Sequence, residues 1–147
     1  MPKQTIPPVP VQSVDDDRIQ PTDILLRLIP IEHYPIDPNT GRRFVASSAF
    51  NISRKGVSVL RKGMADGVIQ QLFPDFGIAE MTAHEIRKAG CVIAIEEDLG
   101  FAHWPRDSHA VVYKQSDTQP KAKLKDRQIH ALTYLANKGM RKEPKIP

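Results

Sequence analysis

The chain has one cysteine, nine aromatic residues among 147 and no long apolar run. With Cys91 alone there is neither an intrachain disulfide nor a thiolate metal cluster, so the expected home is a reducing cytoplasm. No stretch approaches the ~18 apolar residues of a membrane span. The opening Met1–Pro8 lacks the apolar core of a secretory signal. Also missing are Gly-x-Gly-x-x-Gly, a Walker lysine motif, Gly-x-Ser-x-Gly and His-Glu-x-x-His, and no cofactor is expected. No metal site is expected either: His84 and Glu85 are adjacent and point to different helix faces, and His103 and His109 need a third ligand such as Asp107. The absence of helix-turn-helix, zinc-finger and aromatic RNP patterns argues against sequence-specific nucleic-acid reading. The scarcity of aromatics argues against a base-stacking platform.

Charge is present and unevenly spread. The net charge is +4, but residues 121–147 carry eight Lys or Arg against Asp126 and Glu143, leaving −2 for the first 120 residues. A near-neutral body with a basic end points to an acidic protein surface or a nucleic acid as partner.

Proline and pattern divide the chain into an extended or disordered leader (1–21), a single domain (22–138) and a basic tail (139–147). The leader holds five of the thirteen prolines and Asp15-Asp16-Asp17; proline fixes φ and lacks an N–H donor, so this arm joins no helix or central strand. The apolar run Asp23–Ile29, stopped by Pro30, reads as a buried strand carrying Arg27. Phe44–Ile52 and Gly56–Leu60 read as strands paired in a hairpin. Asp66 caps a short helix over Val68–Leu72, and Phe76–Met81 is ambiguous. Thr82 and Glu85 form a capping box for a helix over Ala83–Ala89 that stops at Gly90. Cys91–Ile95 and Ser108–Lys114 read as strands. Pro120 opens a final basic helix running to Asn137, with Leu124, Gln128, Ala131, Leu132, Leu135 and Ala136 as its inner stripe. The expected class is α+β: a mixed or antiparallel sheet packed by two or three helices lying on one side.

Two groups of residues carry candidate chemistry. The first is a basic patch from Arg42, Arg43, Arg54, Lys55, Arg61 and Lys62, gathered at the ends of the expected hairpin and joined by Lys121 and Lys125. Such a cluster meets phosphates in a salt-dependent way. The second is a catalytic constellation in which Arg27 holds an anionic substrate by its planar fork, Ser47 or Ser48 donates or attacks, and His109 moves a proton. Strand alternation lets only one of the two serines join it.

Arg27 with Ser47-Ser48 resembles the strand Arg and Ser of ADP-ribosyltransferases and related NAD-handling domains, which implies dinucleotide binding with Glu96 or Glu97 as the acidic residue. A broader resemblance rests on Leu26-Arg27-x-x-Pro30, Ser47-Ser48-Ala49-Phe50, Val57-Ser58-Val59 and His109-Ala110-Val111-Val112. In this order, over about residues 22–115, they look like small bacterial proteins of uncharacterised function, which implies a common fold and no activity. The function expected first is a binding or regulatory module that uses its basic face on a protein or nucleic acid. A small enzyme acting on a nucleotide (NAD-like) or other anionic substrate comes second, and nothing in the residues sets an oligomeric state.

Overall fold

Apolar β-prone runs account for most of the sheet. The computed structural model describes residues 15–52, 56–96 and 104–147. In chain order the elements are β1 (Ile24–Ile29), β2 (Val57–Arg61), α1 (Asp66–Leu72), β3 (Gly77–Thr82), α2 (Ala83–Lys88), β4 (Cys91–Ile95), β5 (His109–Lys114), α3 (Asp126–Lys138) and β6 (Met140–Lys142). The strands form one sheet in the order β4-β5-β2-β1-β3-β6, and every pairing is antiparallel. The domain is therefore α+β.

Strand alternation divides the side chains between two faces. On one face Leu25, Ile29, Val57, Val59, Met81, Ile93 and Val112 pack against Ala83 and Ile86 of α2 and Ile129, Leu132 and Ala136 of α3. On the other, Leu26 and Leu60 pack against Ala65 and Ile69 at α1, with Trp104 alongside; Trp104 stacks on Phe73 at 5.7 Å between ring centroids. Helices thus cover both faces, not one. The reason is that β1 and β2 are apolar on both sides, so a single layer would leave Leu26 and Leu60 in water.

Local signals set the helix ends. Thr82 Oγ1 accepts from the Glu85 N–H, and Glu85 reaches back to the Thr82 N–H, which closes the expected capping box. The Thr82 contact is also the main cause holding the Glu85 carboxyl below its usual range, with Lys138 adding to it. After α2, Gly90 takes φ +90°, a conformation that glycine adopts without steric cost.

Four further expectations change in three dimensions. Residues 15–21, read as the end of the leader, pack onto the domain: Ile19 is in the core, and the Asp15 carboxylate and Asp16 N–H occupy the Ile93 N–H and C=O on the β4 edge. Residues 44–52 form no strand; a 3-10 turn at Ser47–Ala49 replaces it. The expected hairpin is absent as well, since β2 pairs with β1 and β5. Finally, α3 starts at Asp126 rather than Pro120. Lys121, Lys123 and Lys125 are exposed and alternate with buried Ala122 and Leu124, an extended pattern anchored by the Lys114 N–H to the Ala122 carbonyl at 3.0 Å.

Cys91 is buried, and desolvation pushes its thiol up to about 12. A thiol-specific reagent at neutral pH should leave the native chain unmodified and label it on unfolding. The linkage has a definite sign. The unfolded thiol ionises near 9.0 while the folded one keeps its proton to about 12, so this contribution is full below pH 9.0 and is lost as pH rises between the two values. Rapid labelling of the folded chain would contradict this burial. No helix among the described residues is long and apolar enough to cross a membrane.

Candidate functional site

Arg27 lies where β1 and β2 part. Their ladder holds only Leu25↔Arg61 and Leu26↔Leu60; beyond it the guanidinium fills the opening. Arg27 Nε and Nη2 donate to the Ala49 carbonyl at 3.1 and 2.6 Å, and Nη1 donates to the Ser58 carbonyl at 2.9 Å. The group sits 5.8 Å from the Phe50 ring centroid and has no carboxylate partner among the described residues. Burial alone draws its pKa down to about 10. Arg27 thus satisfies backbone carbonyls that an interrupted ladder leaves over, which is a structural use of its planar fork.

The other members of the predicted constellation are elsewhere. Arg27 shares the face of Leu25 and Ile29. His109 pairs with Leu60 and so lies on the opposite face of the sheet. Ser47 and Ser48 are both exposed on the 3-10 turn, so the alternation argument that separated them does not apply. Ser48 Oγ lies 2.8 Å from Nδ1 of His33, a pairing hidden from the sequence once residues 44–52 are read as a strand. No single cleft holds Arg27, a serine and His109.

His109 is buried, with Nδ1 2.7 Å from the Glu96 carbonyl and Nε2 without a partner among the described residues. The Glu96 carboxylate accepts from Tyr113 Oη at 2.6 Å and pairs with Lys121. Burial pushes the Glu96 carboxyl up, but the bonds from Lys121 and Tyr113 outweigh it and hold it below the usual range; burial and the carboxylate raise the Tyr113 phenol. Glu97 and His103 lie outside the described residues. Among those described, no group of three His, Cys, Asp or Glu side chains is placed to hold a metal ion.

The predicted basic patch is dispersed. Arg54 and Lys55 lie outside the described residues. Arg61 and Lys62 sit beside the start of β1, where the Lys62 N–H meets the Ile24 carbonyl. Arg42 and Arg43 follow its far end, where the Phe44 N–H meets the Pro35 carbonyl. Lys62 is thus anchored to the start of β1, whereas Arg42 and Arg43 lie in the segment that follows its six residues. Three of these cations are also occupied: Arg43 by the Tyr34 carbonyl, Arg61 by the Asp107 carbonyl and Asp23, and Lys62 by Glu80.

A different basic surface forms at the far end of β5. The Gln115 N–H meets the Gly90 carbonyl at 2.9 Å, joining the ends of β5 and α2, and the Lys114–Ala122 bond brings in the segment that leads to α3. Lys88, Lys114, Lys121, Lys123, Lys125 and Arg127 gather there from three parts of the chain. Lys121 is paired to Glu96, and the others have no carboxylate partner among the described residues. Buried Gln128 fixes this corner: its Oε1 accepts from the Lys125 N–H at 3.1 Å and tethers the start of α3. The fold and this surface define a small α+β domain with a basic corner. No family model, curated protein or solved structure matches the chain.

Proposed function

We propose that the chain is a small binding or regulatory module that engages an anionic partner, either an acidic protein surface or a nucleic acid, through the corner of Lys88, Lys114, Lys123, Lys125 and Arg127. The observation that carries this reading is a set of cations without carboxylate partners among the described residues, held by backbone that is itself anchored. Lys123 and Lys125 project outward because Ala122 and Leu124, which alternate with them, are buried, so the charges are presented at fixed spacing. The positive end of the α3 macrodipole falls at the same corner. Arg27, which would position a substrate in a catalytic reading, is already engaged by the Ala49 and Ser58 carbonyls.

Labelled single- and double-stranded oligonucleotides and an acidic peptide, each titrated across a salt series, test the reading. Affinity for at least one of them should fall steeply as salt rises. The triple variant Lys123→Ala, Lys125→Ala, Arg127→Ala should weaken binding and, for a single strand, flatten the log–log salt slope by about 2, at roughly 0.7 per phosphate contact. Unchanged affinity in that variant would remove the corner as the binding surface.

A further inference from the structure

The outward face of α3 continues the basic corner and changes its character. The helix buries Gln128, Ile129, Leu132 and Ala136 on one side. At 100° per residue, Arg127, Tyr134 and Lys138 fall in one narrow stripe on the other side, with His130 beside them, and all four are exposed. No acidic residue occupies that stripe. Lys138 reaches Glu85 at its far end, at 3.6 Å. From Arg127 to Lys138 the stripe runs about 16 Å.

Tyr134 is 69% exposed, the highest value among the exposed large hydrophobic residues described. A second aromatic lies close by for an independent reason. The Asn137 side chain, one turn on from Tyr134, accepts from the Val45 N–H at 2.8 Å and donates to the Val45 carbonyl at 3.0 Å. This clamps against α3 the segment that carries exposed Phe44 and Arg42, whose side chain has no carboxylate partner among the described residues. The sequence has few aromatics, which argued against a stacking platform, yet the fold brings two exposed rings to the same helix as the cations.

We infer that the partner of the basic corner is a single-stranded nucleic acid whose backbone follows Lys123, Lys125 and Arg127 along α3 and whose bases stack on Tyr134. An acidic protein surface would satisfy the cations but has no special use for an exposed ring flanked by them. Unpaired bases offer the π-faces that such a ring stacks on, whereas a duplex keeps its bases stacked on each other. Arg42 and Phe44 extend the surface beyond the C-terminal half of the helix. This inference rests on the proposed anionic partner, and the test separates the two.

The experiment measures fluorescence anisotropy of the full chain with three labelled probes of equal charge: a short pyrimidine oligonucleotide, an abasic sugar-phosphate strand and a poly-glutamate peptide. The expected result is tightest binding to the oligonucleotide, with the abasic strand weaker by about tenfold. Tyr134→Ala should cost the oligonucleotide a similar factor while leaving its salt slope and the chain's melting temperature unchanged. Equal affinity for base-bearing and abasic strands, or no effect of Tyr134→Ala, overturns base stacking and leaves the basic corner standing. Binding of poly-glutamate alone overturns nucleic acid as the partner, and binding of none of the three overturns both readings.

Discussion

Gly139→Ala should destabilise the fold by about 3 kcal/mol, read as a drop in the urea midpoint at unchanged m-value. The backbone of Gly139 has φ −100° and ψ 13°, which any residue adopts, so torsion does not require glycine there. Close approach does. A Cβ at this position would fall 1.9 Å from the Glu80 carbonyl oxygen and 3.2 Å from that of Leu135, and both are backbone atoms that cannot swing aside. The Glu80 N–H also donates to the Gly139 carbonyl at 2.8 Å, so opening the contact loosens the seam of β3 and β6. Beyond it, Tyr34 Oη donates to Glu143, and the Lys145 N–H meets the Asp75 carbonyl. Gly67→Ala serves as the contrast. Its Cβ would meet nothing within 4 Å on α1, and the change should raise stability by about 0.5–1 kcal/mol. Equal effects at the two positions would show that the contact at Gly139 relaxes freely.

Arg27→Met should cost about 3 kcal/mol in the same measurement. The substitution keeps most of the aliphatic stem but removes every donor to the Ala49 and Ser58 carbonyls, and charge-assisted bonds of this kind contribute about 1.5–3 kcal/mol each. The loss is smaller than the sum of the bonds because the native guanidinium is itself desolvated, as its lowered pKa of about 10 indicates. Arg27→Lys should recover less than half of it, since a point charge cannot span two carbonyls on different elements as the fork does. The Ser47–Ala49 turn should loosen in both variants, visible in NMR as a shift of the His33 ring signals when the Ser48 contact weakens. If Arg27→Met were as stable as the parent, the bridge between turn and strand would not hold the two together.

These two positions mark where the sequence could be read and where it could not. Thr82 and Glu85 declared a helix start because a capping box is made by residues three apart, and the structure has it. Cys91–Ile95 was legible as a strand because an unbroken apolar run of that length has few other uses, and Ser108–Lys114 was legible from its apolar Ala110–Tyr113 centre. Phe44–Ile52 misled: buried Val45, Ala49 and Phe50 are spaced for a turn rather than for alternation, and the hydroxyls between them supplied a false strand rhythm. At Pro120 the opposite error arose. Pro120 is a good helix-opening residue, but the chain follows the alternation of lysines with Ala122 and Leu124, which is present in the sequence.

By itself, the sequence determined the class of the domain, most of its strands, the α2 start and the gathering of positive charge toward its C-terminal end, because each depends on neighbours in the chain. Only the tertiary structure decided what the charges and polar groups face. Arg27 turned out to answer carbonyls 22 and 31 residues away, and His109 lies across the sheet from it. Arg61 found Asp23 and the Asp107 carbonyl and Lys62 found Glu80, all distant in the chain, while Lys88, Lys114, Lys123, Lys125 and Arg127 converged from separate elements. The physical reason is that pairing order in an antiparallel sheet is set by which faces must be buried. That choice is made over the whole chain, and it settles which cations are neutralised by carboxylates and which are not.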